Sequence, residues 1–245
     1  MSLRFGSTTI TNHAVQSSGL VTVPSFPMTI SLWFYSNRTA GREALIEFLA
    51  SDPVSEDFFG FNLTMLSNAT TTNRRISAAT YDPTNGLLRA QTATGAGNGW
   101  ATSTWNHAAG VFTSSLRTAY LNGGSSGTQS TTVTAPGGLF DPYIDINRVR
   151  TDVGVVGGYG HDASNEEIRM AEVAIWNTDL TSAEISSLAK GFCPKLIRPD
   201  YLFFYTPLIR TGSSSIFEAT GIPMTAYNFG SAFTPTTEPH PRRIG

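Results

Sequence analysis

Residues 168–208 read IRMAEVAIWNTDLTSAEISSLAKGFCPKLIRPDYLFFYTPL: a strand, a turn, one short helix and a second strand. The first strand carries Ile168, Met170, Val173, Ile175 and Trp176, and its apolar phase changes after Met170, which predicts a bulge or an edge there. Thr181 precedes Glu184 by the spacing of a capping box, in which each side chain satisfies a free backbone N–H of the other. Ile185 and Leu188 give the helix one apolar side, and Gly191 stands where a helix closes in the left-handed conformation. Beyond Pro194 and Pro199, Tyr201 to Tyr205 form a dense aromatic strand. The rest of the chain is written for strands.

Working outward, Phe26 to Tyr35 alternates Met28, Ile30, Leu32 and Phe34 with Thr29, Ser31, Trp33 and Tyr35, and both faces are apolar at its end, as in a central sandwich strand. Two short strands are expected before residue 24. Ala44–Ala50 with Phe58–Met65, and Ile76–Tyr81 with Leu87–Thr92, read as hairpins; the second closes on Asp82-Pro83-Thr84-Asn85-Gly86. Residues 93–104 read as loop. Ala108–Phe112 pairs with Thr118–Leu121, and Ile144–Val149 and Val153–Gly157 follow. Short strands at this spacing define an all-β, two-sheet antiparallel jelly-roll sandwich with one short helix near 181–190.

Three blocks, in order, resemble the laminin-G-like and pentraxin-like domains of the concanavalin A-like lectin/glucanase superfamily. They are SFPMTISLWFY ending at Tyr35; Trp105-Asn106-His107-Ala108-Ala109-Gly110-Val111-Phe112 with Tyr120-Leu121-Asn122-Gly123-Gly124; and AEVAIWNTDLTSAEISSLAKG with its closing aromatic strand. The resemblance spans residues 1–208. From Leu208 on, the chain also resembles the C-terminal extension of laminin-G-like proteins encoded among bacteriophage structural genes.

The second unit, residues 209–245, holds four prolines and isolated aromatics at Phe217, Tyr227, Phe229 and Phe233. It reads as an extended arm laid on its own or a neighbouring subunit, with these aromatics as assembly contacts.

Composition narrows the function. Over 245 residues, 40% are hydrophobic, enough for a sizeable core, while only 14% are charged and the net charge is −2. No basic footprint for nucleic acid and no polybasic or membrane-spanning stretch appears. Cys193 is the one cysteine and reads as a structural thiol. The N-terminus shows no signal-peptide pattern, so synthesis in a host cytoplasm without export is expected. Asn37, Asn62 and Asn68 head glycosylation sequons, which a Thr/Asn-rich chain produces by chance.

Some members of the superfamily cleave β-glucans with Glu, Asp and Glu on alternate residues of one strand. Here Glu172 has Ala174 and Trp176 as its same-face neighbours, so no enzyme is expected and glycoside hydrolysis is a remote alternative. His107 occupies a hairpin position that suits a structural hydrogen bond. The resemblance also raises calcium at a rim, with Asp141, Asp145, Asp152, Asp162, Asn165 and Glu166 as candidate oxygens, although no cofactor is required. A sugar site would use loop aromatics and their polar neighbours: Tyr81, Asn85, Asn98, Trp100, Tyr159, His161 and Asp162, with Trp100 as the exposed platform. Trp33, Trp105 and Trp176 are expected in the core.

The resemblance implies a non-catalytic virion structural protein, a head decoration or tail-associated subunit on the virion surface. Its partners would be further copies of itself and a capsid or tail protein, with no nucleic acid and no membrane insertion. The alternative is a carbohydrate-binding module that recognises host-surface glycans.

Overall fold

The structure, a computed structural model, describes residues 3–5, 14–17, 26–37, 41–49, 59–67, 74–82, 86–93, 99–133, 143–146, 168–208, 216–217 and 224–227. Along the chain run β1 (Leu3–Phe5), β2 (Ala14–Ser17), β3 (Met28–Ser36), β4 (Gly41–Leu49), β5 (Phe59–Ser67), β6 (Arg75–Asp82), β7 (Gly86–Gln91), β8 (Trp105–Phe112) and β9 (Arg117–Leu121). Then come β10 (Ser125–Gln129), β11 (Tyr143–Ile146), β12 (Ile168–Trp176), α1 (Ser182–Ala189), β13 (Leu202–Thr206), β14 (Ile216–Phe217) and β15 (Met224–Tyr227).

Two antiparallel sheets face each other. The first has the order β1-β12-β3-β8-β9-β10, with β13 also pairing β12; the second is β14-β15-β2-β11-β4-β5-β6-β7. The alternation of β3 decides which way each sheet faces. Met28, Ile30, Leu32 and Phe34 are buried between the sheets against Phe61, Leu63 and Met65 of β5 and Ile76 and Ala78 of β6. β3 lies between β12 and β8, so it is the central strand that its two apolar faces predict.

The bulge foreseen after Met170 sits at Glu172, where pairing with β3 skips from Ala171 to Ala174 and φ is +53°. It alters the expected alternation, because Glu172 no longer shares a simple face with Ala174 and Trp176. Its carboxylate instead accepts a 2.6 Å hydrogen bond from the buried Tyr205 hydroxyl.

α1 packs on the outer side of the first sheet. Ile185 and Leu188 meet Ala109, Val111, Ala174 and Trp176 there, and the Trp176 indole N–H donates to the Ile197 carbonyl at 2.7 Å. The capping box forms as spaced: Glu184 N–H donates to Thr181 Oγ1 at 3.3 Å and Thr181 N–H donates to Glu184 Oε2 at 2.7 Å. Arg198 Nε donates to the other Glu184 oxygen at 2.6 Å. Burial works to raise the Glu184 carboxyl, but the hydrogen bonds from Arg198 and Thr181 together hold it below its ordinary value. Thr29 joins helix and sheet by donating to Thr178 O (2.7 Å) and accepting from Leu180 N–H (2.9 Å).

β10 occupies the Gly/Ser-rich stretch after Asn122, where composition gives little strand signal. It lies so close to β7 that a Cβ on Gly127 would overlap the Gln91 carbonyl. The guanidinium of the fully buried Arg117 spans the same end of the sandwich, donating to Thr80 Oγ1 (2.7 Å) and the Thr131 carbonyl (2.6 Å). After residue 208, β15 pairs with β2 and β14 with β15, so these two segments of the C-terminal unit extend the second sheet of their own chain.

Thermal melts of two alanine variants check the β7–β10 approach. Gly127→Ala is expected to destabilise by at least about 1–3 kcal/mol, because backbone blocks the added methyl. Gly124→Ala, whose Cβ meets nothing within 4 Å, should melt with the wild type.

Candidate functional site

The loop aromatic favoured by the sequence is not a platform. Trp100 is 1% exposed and lies inside the core. Its indole N–H donates to the Leu66 carbonyl at 3.2 Å, its ring meets Phe34 edge-on at 5.9 Å, and the Arg74 guanidinium carbon stands 5.1 Å from its centroid. The small residues around Trp100 let the indole drop inward, where burial of a large apolar ring and one satisfied N–H is favourable.

Tyr81 lies in β6, its backbone paired with Leu87. Asn85, Asn98, Tyr159, His161 and Asp162 fall outside the described residues, as do Asp141, Asp152, Asn165 and Glu166. Asp145 is not in a rim loop: it is in β11, bridged to Gln16 on one side and Glu47 on the other. Among the described residues no group of three His, Cys, Asp or Glu side chains is placed to hold a metal ion. Of the arm aromatics, Phe217 is in β14 and Tyr227 in β15, while Phe229 and Phe233 lie outside the described residues.

On the outside of the first sheet, Trp176 is buried as expected, but Trp33 and Trp105 are half-buried surface residues rather than core. Tyr35 and Trp105 meet at 64° with centroids 6.1 Å apart, and Trp33 meets His107 at 66° and 5.4 Å. These edge-to-face contacts tie the half-buried rings to one another on the outside of the sheet.

His107 itself is fully buried, with Nε2 2.8 Å from Ser31 Oγ, and burial pushes its pKa down to about 3. It is a neutral structural imidazole. Its backbone N–H donates to Asn122 Oδ1 at 2.8 Å, tying the Trp105-Asn106-His107 motif to the β9–β10 turn.

The outside of the second sheet is different. In β5, Phe61, Leu63 and Met65 point into the core, so Asn62 and Thr64 point away from it; in β6, Ile76 and Ala78 point in, so Ser77 and Ala79 point away. The pairing sets Thr64 beside Ser77 and Asn62 beside Ala79, with Gln91 and Arg89 of β7 next along the same rows. Glu47 of β4 is the register partner of Asn62. Asn62 is 0% exposed and Thr64 and Ser77 are each 1% exposed.

None of the polar side-chain atoms of these three residues — Asn62 Oδ1 and Nδ2, Thr64 Oγ1, Ser77 Oγ — has a hydrogen-bond partner. Leaving a buried polar group unsatisfied costs about 1–3 kcal/mol. Arg75, on the same side of β6, also has a buried, unpartnered Nε, and Arg75, Arg89 and Gln91 are half-buried around the patch. An amide and two hydroxyls, enclosed without hydrogen-bond partners and bordered by guanidinium groups, form an unsatisfied polar cluster within the fold. Sequence reasoning missed this face because it sought sites in loops. The available signal was the short neutral polar residues alternating through FNLTML and RISAAT.

These features define a laminin-G-type sandwich. A family model described as the concanavalin A-like lectin/glucanases superfamily matches residues 9–186, and the chain belongs to that superfamily. No curated protein sequence matches the chain. Among solved structures, it is similar to a heptameric SAP-like pentraxin from Limulus polyphemus, with 12% identity, a TM-score of 0.53, and coverage of 77% of this chain and 80% of that one. A candidate carbohydrate binding protein from Bacteroides ovatus shares 14% identity at a TM-score of 0.56, with 92% of this chain covering 58% of that one. The binding domain of Paraclostridial Mosquitocidal Protein 1 shares 15% identity at a TM-score of 0.52, over 77% and 43% of the two chains. At these identities the likeness is one of fold.

The buried imidazole makes stability depend on pH. The unfolded chain protonates His107 near pH 6.5 and the folded chain only near 3. Stability present above pH 6.5 is therefore lost as pH falls toward 3. Relative to His107→Gln, the wild type should lose about 3 kcal/mol more between pH 7 and pH 4 in urea unfolding. Parallel curves for the two proteins would contradict the assignment.

Proposed function

We propose that the chain is a non-catalytic glycan-recognition module whose site on the second sheet centres on Asn62, Thr64 and Ser77, side chains that are 0–1% exposed and that binding has to uncover. The observation that carries this is the set of four buried polar side-chain atoms with no protein partner. Ordinary folded proteins pair such groups. Apolar residues of the same shape would be neutral or stabilising there, so these residues cost stability that a ligand's hydroxyl groups can offset by supplying the missing hydrogen bonds. One of the fold relatives is named for carbohydrate binding, which agrees with this role.

For the non-catalytic part, His107 is buried and neutral, and Glu172 is held by the Tyr205 hydroxyl, so neither presents a free acid or base to a substrate.

Display on a phage particle, as a head decoration or tail-associated subunit, is compatible with this role. The sparsely charged sequence and the resemblance of the C-terminal unit to phage-encoded proteins are what support this reading. β14 and β15 pair within the chain, and β14 stands at one end of the second sheet among the described strands.

A stability–function trade-off tests the site. Thr64→Val with Ser77→Ala removes two unsatisfied hydroxyls while preserving shape, and should leave stability unchanged or raise it by about 1 kcal/mol. On a glycan array the same variant should lose at least tenfold in binding. Undiminished binding by the variant would place the site elsewhere, and an array on which the wild type captures no glycan would overturn the role.

A further inference from the structure

The segment that joins α1 to β13 is irregular, yet it is tied down along its length. Two single turns of 3-10 helix, Pro194–Leu196 and Pro199–Tyr201, are closed by Leu196 N–H donating to the Cys193 carbonyl (2.9 Å) and Tyr201 N–H to the Arg198 carbonyl (3.0 Å). Pro194 is buried, Ile197 and Leu202 pack on the cluster around Trp176 and Tyr205, and the Ile197 carbonyl takes the Trp176 indole N–H. Arg198, left-handed at φ +42°, is clasped to Glu184 of α1. These contacts occupy the inward side of the segment.

Its outward side is apolar. Phe192, Leu196 and Tyr201 are 38%, 58% and 53% exposed, three of the four large hydrophobic side chains exposed among the described residues. The fourth, Leu116, lies apart, between β8 and β9. Single exposed apolar residues are ordinary, whereas three within ten residues of one fixed segment make a patch. Because the segment is already ordered, a contact there does not have to order it first.

The charges beside the patch decide its partner. Lys195 and Asp200 are exposed, and neither forms an ion pair among the described residues. Each directly precedes an exposed apolar residue, Leu196 and Tyr201 respectively. A partner of one charge sign would gain at one of these residues and lose at the other. The surface is instead its own complement: a two-fold axis between Leu196 and Tyr201 sets Lys195 of each copy opposite Asp200 of the other, with the apolar side chains between them.

We infer that residues 190–201 form the contact between two copies of this chain, an isologous dimer centred on Leu196 and Tyr201 with two Lys195–Asp200 ion pairs across it. The contact lies on the outer side of the first sheet, so it leaves the second sheet of each copy uncovered and does not rest on the glycan role. Twelve residues are about half of the 20–30 that a standard interface takes from each side, which predicts a reversible dimer with a Kd in the micromolar range.

Sedimentation velocity of the full chain from about 1 to 500 µM brackets that range. The wild type should pass from monomer to dimer, and Leu196→Asp should weaken association by about tenfold or more. Lys195→Glu and Asp200→Lys each set like charges opposite one another and should each weaken it about fivefold, whereas the double variant restores opposite signs and should return to within about twofold of the wild type. Leu116→Asp, at the exposed hydrophobe outside the patch, should dimerise as the wild type does. Melting curves check that the variants fold.

A wild type that stays monomeric throughout would overturn the contact, and so would association that Leu196→Asp leaves intact. A closed trimer or larger ring would overturn the two-fold arrangement. A double variant that stays as weak as the single ones would overturn the Lys195–Asp200 pairing. None of these outcomes involves a glycan, so the glycan role stands or falls separately.

Discussion

The alternation of one strand, β3, sets the rest of the molecule. Met28, Ile30, Leu32 and Phe34 are fully buried between the sheets, and the strand is paired on both sides. A slip of one residue would carry Thr29, Ser31, Trp33 and Tyr35 into the core and expel the four apolar side chains, so the register is strongly fixed. The outward residues are organised by the same choice. Thr29 fixes the approach to the helix through Thr178 and Leu180, and Ser31 receives His107. The helix sits where it does because β3 faces as it does.

The enclosed polar groups of the two sheets are met differently. On the first sheet, Ser31 Oγ meets His107 Nε2 while His107 Nδ1 has no partner, and α1 covers the small residues Ala109 and Ala174. On the second sheet, hydroxyl and amide groups equally removed from water have none. A chain shaped by stability alone would place Val, Ala and Leu at such positions. Four of the unpartnered buried atoms gather on Asn62, Thr64 and Ser77, and such a local departure from the packing rules is where a functional constraint is expected.

Much of the architecture was legible because it rests on local chemistry. The Thr181–Glu184 capping box, the left-handed Gly191, the bulge after Met170 and the 76–92 hairpin each depend on a few adjacent residues. What was not legible depends on contacts across the fold. β10 forms in a Gly/Ser-rich stretch because only glycine at 127 lets its backbone approach Gln91, a constraint invisible from composition. Trp100 looked like an exposed loop aromatic, yet the space between Phe34, Leu66 and Arg74 that receives it exists only once the sheets have met. The polar face was hidden for the opposite reason: Asn62, Thr64 and Ser77 read as ordinary solvent-side strand positions, and only their burial without partners singles them out.

The most direct measurement of the central claim is an NMR titration that follows the Asn62 side-chain amide and the Thr64 methyl group as an oligosaccharide captured on the array is added. Saturable shifts at both, with Trp33 and Trp105 unmoved, are the predicted result. Saturable shifts confined to other surfaces, with Asn62 and Thr64 unchanged, would contradict the account.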